Sequence, residues 1–140
     1  MNRYVVDASV AAKWFIPETH TEEARRLLAG PNELRAPDLL WLEMHSIVCR
    51  HIRKKQFHRE EGLQILSALR AFPIQIFPSA DLLNTATAIA LDTAASLYDC
   101  VYLALAVLQD DFVVTADRRF YQRLSTSPLR NRFLWVGDVP

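Results

Sequence analysis

The chain alternates between short β-branched runs and longer amphipathic stretches, and this rhythm lays out its elements. Tyr4 to Val6 reads as a strand, and "ASVAAKWF" then suits a helix that Pro17 closes. "THTEEARRLLAG" carries acids in its first turn, Thr19 or Thr21 as the cap and Gly30 at its end, which predicts an amphipathic helix. Leu34 to Ala36 is expected as a second short strand. Pro37 and Asp38 open a long helix running to about Lys55, with Asp38 as N-cap, and "HREEGLQILSALRAF" makes a further helix that Pro73 ends. "IQIF" reads as a strand, "SADLLNTATAIALDTA" as a helix capped by Ser79, and residues 96 to 108 as another helix. "DFVVTA", "DRRFYQRL" and "RFLWV" then give strand, helix and strand. Strands alternating with helices predict an α/β sandwich around a mainly parallel sheet.

One polar residue breaks this pattern. "SLYDCVYLALAVL" is apolar on nearly every helical face, so the helix is expected to be mostly buried, yet it contains Asp99. A buried ionised carboxylate costs several kcal/mol unless a cation or hydrogen bonds compensate it. Ser96 and Asp99 have capping-box spacing, which places the carboxylate in the first turn but leaves its apolar surroundings unexplained.

Three more acids occupy comparable places. Asp7 follows the first strand and Asp117 follows "FVVTA", so both are expected at carboxyl ends of strands, where open α/β sheets gather ligands. Each also suits the N-cap of the following helix, a role worth ~1 kcal/mol. Glu43 lies one turn from Leu40 and Ile47, inside an apolar stripe, with no Lys or Arg three or four positions away. One fold brings all four to a common pocket. Carboxylates crowded together raise one another's pKa, and a divalent cation resolves the conflict. Hard oxygen ligands without His or Cys suit Mg²⁺, or Mn²⁺, better than zinc.

Composition narrows the setting. The 140 residues suit a single domain spanning 1–140, and 51% hydrophobic content suits a soluble globular protein. Formal net charge is zero, so a polyanion would be held by local patches rather than by overall charge. Cys49 and Cys100 fall in apolar helical patterns and make no disulfide framework, which agrees with a reducing cytoplasmic location. Asp7 and Lys13 interrupt any signal-peptide core, and no apolar run has the length of a membrane span. No membrane association is expected.

"VVDASV", Glu43 in "PDLLWLEM", Asp99 in "LYDCVYLALA" and "VVTADRRF" resemble, in order and context, the acidic motifs of PIN-domain ribonucleases, especially VapC-type toxins of toxin-antitoxin systems. The resemblance spans most of the chain. It implies a three-layer α/β/α fold with a central parallel sheet, Mg²⁺-dependent endoribonuclease activity, a homodimer and inhibition by a small cognate antitoxin. Asp7, Glu43, Asp99 and Asp117 match the catalytic and metal-binding quartet, and Ser9 and Thr115 match hydroxyl positions beside it. Met44, His45 and Ser46 follow the glutamate where many relatives carry small residues and an asparagine.

The chemistry implied is metal-assisted hydrolysis of an RNA phosphodiester, with Asp7 and Asp99 holding the first ion and Glu43 and Asp117 completing the anionic pocket. Lys13, Arg118 and Arg119 are candidates for phosphate contacts, and the basic stretch "HIRKKQFHR" is either a further RNA contact or solvated surface. His20, His45, His51 and His58 lack zinc-site spacing and receive no catalytic role. An aspartyl phosphotransferase would need a second acid where Ser9 stands. The remaining alternative is a non-catalytic interaction module of the same fold, working through a partner protein.

Overall fold

A computed structural model describes residues 2–140. Five parallel strands form one sheet: β1 (Arg3–Val6), β2 (Glu33–Pro37), β3 (Ile74–Phe77), β4 (Phe112–Thr115) and β5 (Phe133–Trp135). Their order is β3-β2-β1-β4-β5, so the chain winds outward from β1 in one direction, then crosses back to wind outward in the other. The reversal falls between β1 and β4, where Val5 is in register with Val113 and Val6 with Val114. This is the crevice at which open α/β sheets bind ligands.

Among the described residues seven α-helices cover the two faces: α1 (Ala8–Ala11), α2 (Thr21–Ala29), α3 (Leu39–Arg53), α4 (Arg59–Arg70), α5 (Leu83–Thr93), α6 (Leu97–Gln109) and α7 (Arg118–Arg123). Because side chains alternate along a strand, neighbouring residues feed separate cores. Tyr4, Val6, Leu34, Ala36 and Val114 pack with α1 to α4. Val5 and Val113 pack with α5, α6 and α7. The result is the expected three-layer α/β/α sandwich. Helix α6 is buried continuously from Cys100 to Ala106, as its apolar periphery requires. Gly62 lets α4 close on α3, since a Cβ there would come within 2.7 Å of Val48 and Ile52 side-chain carbons.

Several local expectations are corrected. Asp38 does not cap α3 with its own side chain. Its carboxylate accepts from the Ser79 N–H, while the Ser79 hydroxyl accepts from the Leu39 N–H, so the cap of α3 is supplied from forty residues downstream. Ser79 is thereby withdrawn from the helix it was expected to cap, which starts with a 3₁₀ turn over Ser79–Leu82. Helix α2 begins after His20 without a side-chain cap, because the Thr21 hydroxyl instead accepts from the Glu18 N–H. Cys49 is exposed, unlike Cys100, because it falls on the outer side of α3. Among the described residues no single helix is long and apolar enough to cross a membrane.

Candidate active site

Asp7 and Asp117 both perform the capping role open to them. The Asp7 Oδ1 accepts from the Val10 N–H at 3.2 Å, and the Asp117 Oδ1 accepts from the Phe120 N–H at 3.2 Å. Both residues nevertheless line the same cavity, so capping and pocket formation are compatible uses of one carboxylate. The chain must turn abruptly from strand to helix at each position, and an aspartate satisfies an otherwise unpaired helical donor there while remaining at the sheet's carboxyl edge.

Asp7 is held with unusual completeness. The Ser9 hydroxyl donates to Oδ1 at 2.5 Å and the Thr115 hydroxyl donates to Oδ2 at 2.6 Å. Both hydroxyls are fixed in turn: Thr115 Oγ1 accepts from the Asp117 N–H, and Ser9 Oγ accepts from the Ala116 N–H. This lattice ties the end of β1 to the end of β4 across the topological reversal. No cation is among the groups that set the Asp7 pKa. Burial pushes its carboxyl up to about 7, against the pull of the three hydrogen bonds, and Asp99 adds a smaller push in the same direction.

Glu43 enters from α3 and Asp99 from the first turn of α6. The Tyr102 hydroxyl, one turn beyond Asp99, donates to Glu43 Oε1 at 2.5 Å and fixes its direction. Ser96 caps α6 by accepting from the Asp99 N–H, as the spacing predicts. Burial raises the pKa of Glu43, and the charges of Asp99 and Asp117 add to it. Asp99 is raised chiefly by burial and also by Asp117. Asp7, Glu43 and Asp99 therefore each sense a neighbouring carboxylate, and of the three only Asp99 has a cation, Arg123, pulling the other way.

The cavity has a volume of about 420 Å³ and is lined by Asp7, Ser9, Glu43, Asp99, Tyr102 and Asp117 together with Ala8, Ser46, Ile47 and Arg50. Among the described residues no three His, Cys, Asp or Glu side chains are gathered closely enough to cage an ion unaided. That geometry fits Mg²⁺, which dehydrates reluctantly and is bound through one or two carboxylates with several retained waters. Uncompensated hard oxygens and room for a hydration shell make the donor set and the ion compatible.

Two lining residues, Tyr102 and Arg50, escaped the sequence reading. Each had a helical signal: Tyr102 follows Asp99 by three positions, while Ser46, Ile47 and Arg50 follow Glu43 by three, four and seven, which is one helix face. The candidate phosphate contacts diverge. Lys13 is buried, and its ammonium donates to Glu18 Oε1 at 3.1 Å and to the Thr19 carbonyl at 2.7 Å, so it is not presented to a phosphate. Arg118 is exposed on α7 with its guanidinium 4.9 Å from the centre of the Trp135 ring. Arg119 is exposed beside it and outside the cavity lining. At the departure after Glu43, Met44 is fully buried, exposed His45 shares a 2.7 Å hydrogen bond with the Trp41 carbonyl, and Ser46 faces the cavity. Trp14 is buried and donates to the Ala24 carbonyl, and both Trp14 and Phe15 lie against Phe72.

The sheet is parallel, with acids at its central strand ends and on two flanking helices, and the chain belongs to the PIN-domain family, whose model matches residues 4–123. It is 30% identical over 123 residues to Ribonuclease VapC3 of Pyrobaculum aerophilum, an alignment covering 86% of this chain and 94% of that relative. Its fold is similar to a structure described as a toxin-antitoxin complex from Klebsiella pneumoniae, with a TM-score of 0.68 and 14% identity over 94% of this chain and 95% of that one. It is also similar to Mycobacterium tuberculosis VapC20, described as a sarcin-ricin loop cleaving toxin, with a TM-score of 0.65 and 16% identity over 85% and 93% of the two chains.

Proposed function

We propose that the protein is a metal-dependent endoribonuclease of the VapC type, the toxin of a toxin-antitoxin pair, which uses Mg²⁺ or Mn²⁺ to hydrolyse RNA phosphodiester bonds. The observation that carries this reading is the convergence of Asp7, Glu43, Asp99 and Asp117, from four separate segments, on one cavity in which burial raises the pKa of Asp7, Glu43 and Asp99. Membership of the PIN family and the likeness to Ribonuclease VapC3 support it. A small cognate antitoxin, a homodimer and a cytoplasmic location belong to the same proposal, the first supported by the likeness to a toxin-antitoxin complex.

A divalent ion held by Asp7 and Asp99 would activate water and neutralise charge on the phosphate during displacement. The chain's own groups prepare that chemistry. Ser9 and Thr115 keep both Asp7 oxygens in fixed directions, and Tyr102 keeps Glu43 from swinging toward solvent. Asp117 is anchored through its cap to α7, with its remaining oxygen available to the cavity. The ribose 2′-hydroxyl is not required as nucleophile, because the activated group is water.

The test is cleavage of RNA by the wild-type protein and by Asp7→Asn, in Mg²⁺ and in chelator. The expected result is cleavage by wild type that chelator abolishes, with a loss on the order of 10²–10³-fold in Asp7→Asn, comparable to removing one preorganised group from an active site. Equal cleavage by a correctly folded Asp7→Asn protein would refute the role given to the quartet.

A further inference from the structure

The acid cavity has a neighbour. A second cavity of about 330 Å³ shares Ser9, Ile47 and Arg50 with it, and continues past the C-terminal turn of α3 to His51, Lys54 and Gln56. Its charge is opposite in character. Lys13 and Glu18 also line it, but they are paired with each other at 3.1 Å, which leaves Arg50 and Lys54 as its uncompensated cations. Neither is in an ion pair among the described residues. His51, which also lines it, stacks on Phe57 at 5.3 Å between ring centres. Basic side chains are favoured in any last helical turn by the helix dipole. That preference does not decide which of them face a cavity joined to the acidic site: Arg50 and Lys54 do, whereas Arg53 lines neither cavity.

We infer that this second cavity is a phosphate subsite, in which Arg50 and Lys54 receive a backbone phosphate of the RNA flanking the one cleaved. The inference rests on the ribonuclease reading for the identity of the polyanion. A strand entering an acidic pocket needs neighbouring cations to offset repulsion, and Lys13 is already engaged. Arg50 stands two helical turns, about 10 Å along the axis, beyond Glu43, and Lys54 about 6 Å further. The two cations thus extend α3's acid-bearing face into a track leading away from the carboxylates. Phosphate contacts fix register without reading bases, so this subsite positions the strand and does not choose its sequence.

The test reads binding separately from cleavage. The cleavage-impaired Asp7→Asn protein is titrated with a short fluorescent single-stranded RNA in Mg²⁺ over a range of salt concentrations, with Arg50→Ala, Lys54→Ala or Arg53→Ala added. Each phosphate contact on a single strand contributes a slope of about −0.7 in log affinity against log salt. The expected result is a slope shallower by about 0.7 for Arg50→Ala and for Lys54→Ala, and unchanged for Arg53→Ala. Unchanged slopes in all three, equal flattening in all three, or no RNA binding by the parent protein would each overturn the subsite. If wild type fails to cleave while the Arg50 and Lys54 slopes still flatten, the ribonuclease reading falls and the phosphate subsite stands.

Discussion

Asp111, just ahead of β4, and Asp7, just beyond β1, are buried carboxylates at opposite ends of one strand pair, and they meet opposite surroundings. Asp111 is enclosed by arginines: Arg35 donates to Oδ2 at 3.1 Å, and Arg3 Nε lies 3.1 Å from Oδ1 in an ionic contact rather than a directed hydrogen bond. Asp7 receives hydroxyl and backbone donors but no cation. A carboxylate paired inside the fold is a structural element. One oriented by hydroxyls and left without a cation beside three others is where the proposed function seats its metal ion. Burial alone distinguishes nothing between them; the partner does.

The comparison breaks most visibly at the paired end. Asp111→Ala leaves the Arg35 guanidinium, whose side chain is only 12% exposed, without its main anion, and should cost about 3 kcal/mol in urea unfolding. RNA cleavage per folded molecule should be unchanged. A variant as stable as wild type would show that Glu33, 3.4 Å from Arg35, suffices by itself.

The unpaired end should answer to pH. Asp7 has an ordinary carboxyl pKa of 3.8 when unfolded and about 7 when folded, so between these values the native state binds more protons. Stability of the metal-free protein therefore falls as pH rises through that window, by up to about 1.4 kcal/mol per pH unit, and levels off above it. Thermal unfolding in chelator should give a lower Tm at pH 8 than at pH 5, and added Mg²⁺ should recover part of the loss at pH 8 by binding only the folded state. Asp7→Asn should remove most of this slope and melt higher than wild type at pH 8, the stability gain accompanying the loss of cleavage. A wild-type Tm that does not change with pH would contradict the burial of an unpaired Asp7.

The smallest effect is expected from Thr115→Val, which removes the donor to Asp7 Oδ2 but leaves the donors to Oδ1. Loss of a hydrogen bond that orients a metal-holding group typically weakens metal binding 10–100-fold. Calorimetric titration with Mg²⁺ or Mn²⁺ checks this, and the pH at which stability levels off should move upward in the same variant, since one stabilising donor to the charged form is gone. Equal metal affinity would place Thr115 among the sheet-tying groups only.

Every strand of this sheet was visible as a short apolar or β-branched run, because a parallel strand covered on both faces is largely apolar, with Arg35 in β2 and Gln75 in β3 as interior exceptions. The acids were visible for the complementary reason that each interrupts an apolar context. What the chain did not disclose depends on distant pairings. Asp38 and Ser79 exchange capping roles over forty residues, and neither residue's local neighbours announce the exchange. Lys13 looked free because its partner Glu18 lies beyond Pro17, where the path of the loop decides the contact. Arg50 was legible in principle as the i+7 partner of Glu43, but only once the helix face toward the acids was fixed. The Cys49 exposure follows from that same rotation of α3.

The Thr115 to Asp7 hydrogen bond joins residues 108 positions apart, and it spans the seam between the two oppositely wound halves of the sheet. Any excursion that parts β1 from β4 dismantles the acidic constellation at a stroke, whereas fraying of an outer helix such as α2 leaves it standing. Enzymatic turnover consequently works as a gauge of the molecule's central stitch: in a denaturant series it should vanish together with the most slowly exchanging amides of β1 and β4, not with the earliest to open.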